Sequence, residues 1–290
     1  MSAKNWGMLA ILSLLWGGSF FFVEIALTGL PTLSIVWSRV ALAAGLLGLA
    51  LLVSGTALPC GVPVWRAFLV MGILNNVFPF TLFVLAQGQI SGSLAAILNA
   101  TTPLWGVVMA HLFTSDDKIT PTKALGLALG FVGVVVMMGG TLRGDAWASL
   151  ACLAAAFCYG IAGVFARRFR AMAVPPLATA FGQLTCSTLL ILPVWLWLDQ
   201  PWTMAMPGLR VIGAVVGISA LSTALASLIF FRVLAEAGST NVQLVTFLIP
   251  VSASLLGVLL LNEVVTAQQI AGFGLIALGL AAIDGRVWRW

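Results

Sequence analysis

The sequence predicts an all-α integral membrane protein of ten transmembrane helices, built as two inverted five-helix repeats. Three observations predict it: a composition too poor in charge for water, ten apolar runs of spanning length, and a proline–acid–glycine pattern that occurs twice. Of the 290 residues, 61% are apolar and only 7% charged, against about 25% charged in an ordinary soluble domain. A soluble fold with so few charges could not clothe its surface in groups that water solvates. The surplus apolar surface must face lipid.

The first run opens after Lys4 and continues to about Leu27. It is too long for the apolar region of a signal peptide and no small-x-small cleavage pattern follows it, so it reads as an uncleaved first span. Nine more runs follow at 32–54, 64–85, 91–113, 121–140, 146–165, 176–198, 208–232, 239–261 and 266–284. Each can cross a hydrocarbon core of about 30 Å as a helix, which satisfies its own backbone groups as lipid demands. The runs lack the alternation and the length of roughly ten residues expected of barrel strands.

An even number of spans puts both termini on one side, and charge chooses the side. With that side cytoplasmic, the inner ends carry Lys4, Arg66, Lys118, Lys123, Arg167, Arg168, Arg170, Arg232, Arg286 and Arg289, while the outer ends carry Arg143 and Arg210. Short loops rich in Lys and Arg stay inside, so the N- and C-termini are expected in the cytoplasm. The net charge of +5 therefore reads as a topology signal. It forms no stripe suited to nucleic acid. The four cysteines, Cys60, Cys152, Cys158 and Cys186, have no metal-ligand spacing and read as small apolar fillers.

The repeat is legible in spacing. Pro103 is followed thirteen residues later by Asp116, then by Gly126 and Gly133; Pro250 is followed thirteen residues later by Glu263, then by Gly272 and Gly279. This divides the chain into repeats at 1–142 and 143–290. Five spans per copy reverse the second copy, and inverted repeats supply two interchangeable shapes, one open to each side.

These residues resemble a known family. Leu15-Trp16-Gly17-Gly18-Ser19 is similar to the Leu-Trp-Gly signature of the drug/metabolite transporter superfamily, EamA type. Arg39 within Trp37-Ser38-Arg39-Val40-Ala41 and the two blocks of proline, acid and glycines resemble it too. The resemblance covers nearly the whole chain. It implies a ten-helix exporter or permease with a central substrate cavity, no covalent chemistry, and helices five and ten lying away from the cavity. Among such proteins the chain looks most like exporters of the YddG type, which move aromatic amino acids. It departs from the pattern at Gln183, roughly where the first copy has Arg39, and at Asp116, where the family usually has glutamate.

Polar groups within spans are costly unless paired or facing a wet cavity, so each is a candidate. Arg39 leads, about 10 Å inside the second helix by helical rise. It can form an ion pair with Glu24, attract a substrate carboxylate, or snorkel to the headgroups. Asn75 and Asn76, just before Pro79, can bind a zwitterion or join helices. Asn99 lies four residues before Pro103, and Thr246 four before Pro250, so each polar side chain shares a face with a proline-freed carbonyl. Pro79, Pro103 and Pro250 are accordingly the hinge or gating candidates. Ser222 and Thr223 belong to a hydroxyl stripe that can line the site or serve close packing. Trp16 and Tyr159 can stack on an aromatic substrate or anchor in lipid, and Gln183 is a further polar candidate. His111, near the inner end of helix four, reads as interfacial.

No phosphate-cradling loop, hydrolytic triad or metal-ligand set stands in the sequence, so no enzymatic activity, cofactor or metal is expected. The reading is a secondary carrier or facilitator for small amphipathic metabolites, amino acids such as aromatic ones first, with the lipid bilayer and a small-molecule substrate as its partners and no nucleic acid. A multidrug or other metabolite exporter, and a non-transporting sensor or scaffold, are the alternatives. Whether it is a monomer or a homo-oligomer stays open. Glu24 alone, close to the outer rim, is a poor proton carrier, so weak or absent proton coupling is expected.

Overall fold

The computed structural model describes residues 2–114, 118–138, 146–237 and 245–284. Asp116, Arg143, Arg286 and Arg289, used above for the repeat and the topology, lie outside them. The described residues are helical and include no strand. In chain order the helices are α1 (Ala3–Leu27), α2 (Thr32–Ser54), α3 (Val62–Gln87), α4 (Gly92–Phe113), α5 (Pro121–Met138) and α6 (Ala146–Ala171). They continue with α7 (Pro176–Leu198), α8 (Leu209–Ser219, continuing through Ala220–Leu225 to Ala226–Ala237), α9 (Val245–Leu261) and α10 (Ala267–Asp284). Seven of them, α1 to α4 and α6 to α8, are long and apolar enough to cross a membrane; Pro121–Val136, Leu248–Leu261 and Ala267–Ile283 are shorter apolar helices.

Local chemistry sets the ends. Ser2 caps α1 by accepting from Asn5 N at 3.2 Å, and Ser91 caps α4 by accepting from Leu94 N at 3.3 Å, each relieving one of the first unsatisfied N–H groups. Proline, which needs no N–H partner in a first turn, opens α5 and α7 and stands second in α3. Gly55, at φ 63°, ends α2, a conformation that costs glycine nothing.

Two helices carry a wide π turn in mid-course, at Ile73–Val77 in α3 and Ala220–Leu225 in α8. In α3 the turn stands just before Pro79, whose missing N–H leaves a carbonyl unbonded in the preceding turn. In α8 hydroxyls take the carbonyls instead: Thr223 Oγ1 donates to Ile218 O at 2.8 Å and Ser227 Oγ to Thr223 O at 2.6 Å. Such bulges turn side chains off the regular helical register.

Helix packing places the site. α1 lies against α8 and α9, α6 against α3 and α4, α2 against α7 and α8, α3 against α7, and α4 against α9. α5 runs along α10 with few contacts to the rest. There Gly133 faces the Gly272 carbonyl so closely that an added Cβ would sit 2.7 Å from it. Close backbone approach of this kind is how helices gain packing energy in lipid. Outward faces such as Leu52, Val53, Leu189 and Leu259 are apolar and exposed, as a lipid-facing surface requires.

Candidate functional site

Arg39 lies on α2 and is buried, with 8% of its surface exposed. Its Nε donates to Thr223 Oγ1 of the α8 π turn at 3.0 Å, and its guanidinium lies over the Phe80 ring of α3, 3.6 Å from the centroid. Tyr159 of α6 stands within electrostatic reach of it. Among the described residues no carboxylate forms an ion pair with Arg39.

The expected Glu24–Arg39 pair is therefore corrected. Glu24 turns instead to the start of α4, where its Oε2 accepts from Gly92 N at 3.3 Å. The unsatisfied N–H groups and positive end of a helix N-terminus attract a carboxylate, and from the last turn of α1 that terminus is within reach. Snorkelling of Arg39 is likewise excluded by its burial.

The amides of α3 are spent on α7. Asn75 Nδ2 donates to Gln183 Oε1 at 3.1 Å, and Asn76 Nδ2 donates to Ser187 Oγ at 3.1 Å. Ser187 Oγ in turn reaches Gln183 O at 2.7 Å and Gly72 O at 3.2 Å. Gly72 makes this approach possible, since a Cβ there would stand 2.8 Å from both Gln183 O and Ser187 Oγ. Asn76, Gln183 and Ser187 are buried and Asn75 half-buried, so this set joins helices, with Asn75 its accessible member.

The structure thus brings together Arg39, Thr223 and Tyr159, and sets the Asn75–Gln183 and Asn76–Ser187 bonds on the same α3 and α7. Aromatic rings run beside them: Phe83 meets Tyr159 at 6.2 Å and Phe20 at 5.6 Å between centroids. Trp16 is placed against Phe230, 5.6 Å between ring centroids. Asn99 is half-buried and its Oδ1 accepts from Thr102 Oγ1 at 3.2 Å. Thr246 is half-buried on α9, and Ser222 is buried with a hydroxyl that has no partner among the described residues. Pro79 is buried beside the α3 turn, and Pro103 follows a break in α4 at Ala100 and Thr101. Pro250 leaves α9 unbroken and lines an apolar groove of about 310 Å³ with Ile97, Ser254 and Phe273. His111 Nδ1 accepts from Ile119 N at 3.1 Å.

Sequence reasoning missed Phe80 and Ser187. Ser187 had a signal, because it stands four residues after Gln183 and so shares its helix face. Phe80, one of 17 phenylalanines, had none.

Apolar helices of spanning length around a buried cation, with polar bonds crossing between them, define a polytopic membrane protein. The chain belongs to the EamA-like transporter family, whose model matches it twice, at residues 5–139 and 146–283. It is a membrane transporter of that family. It is similar to the uncharacterized inner membrane transporter YedA of Escherichia coli K12, 25% identical over 280 residues, which cover 96% of this chain and 89% of that one. An uncharacterized transporter of Archaeoglobus fulgidus is 23% identical over 281 residues, covering 96% and 97%. PecM of Dickeya dadantii is 27% identical over 262 residues, covering 89% and 84%. One solved crystal structure, at 19% identity, shares the fold with a TM-score of 0.67 over 98% of each chain.

Proposed function

We propose that the protein exports small amphipathic metabolites bearing a carboxylate, amino acids with aromatic side chains first among them, by alternating access. The observation that carries this is Arg39. A buried guanidinium with no carboxylate partner among the described residues is an expensive arrangement, and a solute carboxylate is the partner that makes it worth keeping. One of its five N–H donors goes to Thr223, leaving a fork that suits bidentate capture. Phe80, Phe83 and Tyr159 beside it offer ring faces to an apolar or aromatic side chain.

Alternating access rests on ten spans arranged as inverted repeats, 1–142 and 143–290. The packing supports it: exchanging each helix with the one five places later turns α1–α8 into α6–α3, α1–α9 into α6–α4, and α2–α8 into α7–α3. The π turns of α3 and α8 exchange likewise, and so do the bonds Arg39–Thr223 and Gln183–Asn75. The double family match also favours it. The positive-inside bias puts both termini in the cytoplasm, and the name of the Escherichia coli relative favours the inner membrane.

The test is counterflow in proteoliposomes with a panel of aromatic, aliphatic and cationic amino acids, their decarboxylated amines, and unrelated cationic drugs. Uptake of amino acids and refusal of the matching amines is the expected result. Transport of the amines at equal rates would overturn the role given to Arg39, and transport of drugs alone would replace the substrate class.

A further inference from the structure

Where α1 ends, two carboxylates distant in sequence meet on one backbone N–H. Gly92 N, in the first turn of α4, donates to Glu263 Oε1 at 2.9 Å and to Glu24 Oε2 at 3.3 Å, and Ser93 N donates to Glu263 Oε2 at 3.1 Å. Local sequence arranges this. α9 ends on Asn262 in the left-handed region, φ 57°, which Asn tolerates better than most residues. Glu263 N then returns to Gly257 O at 3.1 Å, bringing the glutamate side chain back along its own helix. Gly257 leaves room for it, since a Cβ there would collide with the Glu263 carboxylate.

Two carboxylate oxygens accepting from one N–H lie too close for both groups to be ionised without a shared proton or cation. The elements around the pair supply no counter-charge: α3 offers the neutral Gln87, α4 offers Gly92 and Ser93, and no Lys, Arg or His among the described residues forms an ion pair with either glutamate. Two buried polar atoms beside the pair have no partner among the described residues, Gln87 Oε1 and Ser93 Oγ, on residues 7% and 1% exposed. The Gln87 amide is held there by Nε2 donating to Phe20 O at 2.8 Å, and both Gln87 Nε2 and Glu24 Oε2 lie 3.2 Å from where a Gly92 Cβ would be. Ser93 Oγ faces Gly257 next to the Glu263 carboxylate. Ser93 Oγ can accept from a carboxyl O–H. A metal cation would meet the positive end of α4 at the same place; a proton shared between carboxylates does not.

We propose that Glu24 and Glu263 bind one exchangeable proton, whose presence clasps the end of α1 and the α9 turn onto α4, and whose loss frees that end of the bundle and so couples solute passage to protons. This site is separate from Arg39 and goes beyond the substrate reading. It also replaces the expectation of weak coupling, which treated Glu24 as solitary.

The test is dicyclohexylcarbodiimide labelling of the protein in nanodiscs across about pH 5 to pH 9, read by peptide mass spectrometry, because the reagent modifies protonated carboxyl groups in apolar surroundings. At about pH 6, where free carboxylates have ionised, one label per chain is expected on Glu24 or Glu263, falling about tenfold per pH unit beyond its midpoint. In Glu24→Gln the label on Glu263 is expected to be lost, since no second carboxyl is left to share the proton. No label on either residue at about pH 6, or undiminished label on Glu263 in Glu24→Gln, overturns the dyad. The wild-type titration decides the matter even if the variant fails to fold. In proteoliposomes the wild-type rate should change with an imposed pH gradient, and Glu24→Gln/Glu263→Gln should flatten that response. A wild-type rate indifferent to the gradient overturns the coupling while leaving the Arg39 reading to its own assay.

Discussion

Arg39→Met separates what the guanidinium does for the fold from what it does for a solute. Methionine keeps much of the length and is easily buried. The variant loses the bond to Thr223 at 3.0 Å, about 1.5–3 kcal/mol for a charged donor. It also loses the contact with Phe80 at 3.6 Å, about 2 kcal/mol where water is excluded. Against these stands relief from burying an ion that has no carboxylate partner among the described residues, several kcal/mol in effect. The terms nearly cancel, so the melting temperature should stay within a few degrees of wild type or rise.

The solute has no such compensation. Removing one partner of a desolvated charge pair costs about 2–5 kcal/mol, which at 1.4 kcal/mol per tenfold is a loss of about 30-fold to several thousand-fold in apparent affinity. Counterflow in proteoliposomes over a range of solute concentrations measures the second effect. Intrinsic fluorescence of the 11 tryptophans on heating measures the first. A variant that melts more than about 10 °C early, yet transports with unchanged concentration dependence, would refute the reasoning and make Arg39 a structural strut.

Other expectations follow from the same contacts. Gly72→Ala drives a Cβ to 2.8 Å from Gln183 O and Ser187 Oγ; overpacking of this kind costs about 1–3 kcal/mol, so a lowered melting temperature and a slower transport rate are expected, checked by thermal unfolding and counterflow. Asn76→Ala removes the donor to Ser187 and should cost about 1–2 kcal/mol of stability while leaving solute affinity within about threefold; a large affinity loss would move Asn76 into the site. Glu236 carries the hydrogen bonds of Lys4 at 2.9 Å and Arg232 at 3.2 Å, which hold its carboxyl below the usual range. A depressed carboxyl adds stability at pH above its unfolded value and loses it as pH falls through the folded one. Glu236→Gln should therefore lower the melting temperature slightly at neutral pH and converge on wild type at acid pH, so that the acid limb of the profile becomes shallower.

Much of the helical architecture was legible because lipid enforces it. Segments 32–54 and 176–198 coincide with α2 and α7, since an apolar run flanked by proline or glycine has few other solutions in a bilayer. The segment expected at 146–165 matches the long helix Ala146–Phe165, and after a turn at Ala166 a short helix, Arg167–Ala171, carries the basic residues Arg167, Arg168 and Arg170. The site was less legible. Arg39 declared itself as a charge among apolar residues, but its partners Thr223 and Phe80 are brought to it by packing over long stretches of chain. Glu24 misled for the same reason: depth along a helix can be counted from sequence, but the azimuth that turned it toward Gly92 cannot. The π turn of α3 had a cue in Pro79, whereas that of α8 arises from hydroxyls at 219, 223 and 227 that read equally well as packing contacts.

The likeness between the halves makes their chemical difference informative. Gln183 and Asn75 satisfy each other as acceptor and donor, and a neutral amide pair can be buried at little cost. Arg39 and Thr223 form the bond that corresponds to it when the halves are exchanged, but there the donor is a cation with four N–H groups beyond the one used. A carboxylate therefore has reason to bind on the α2–α8 side and little reason to bind on the α7–α3 side. In the two-repeat reading the solute need not change partners as the halves exchange shape, since α2 and α8 come from different copies. On the proposed mechanism it would stay with Arg39 while helices on either side open in turn. The Glu24–Glu263 pair obeys the same logic at one end of the bundle, joining α1 of the first half to the turn after α9 of the second. Loss of its proton would weaken a contact between the halves, and a contact between halves is what alternating access must make and break.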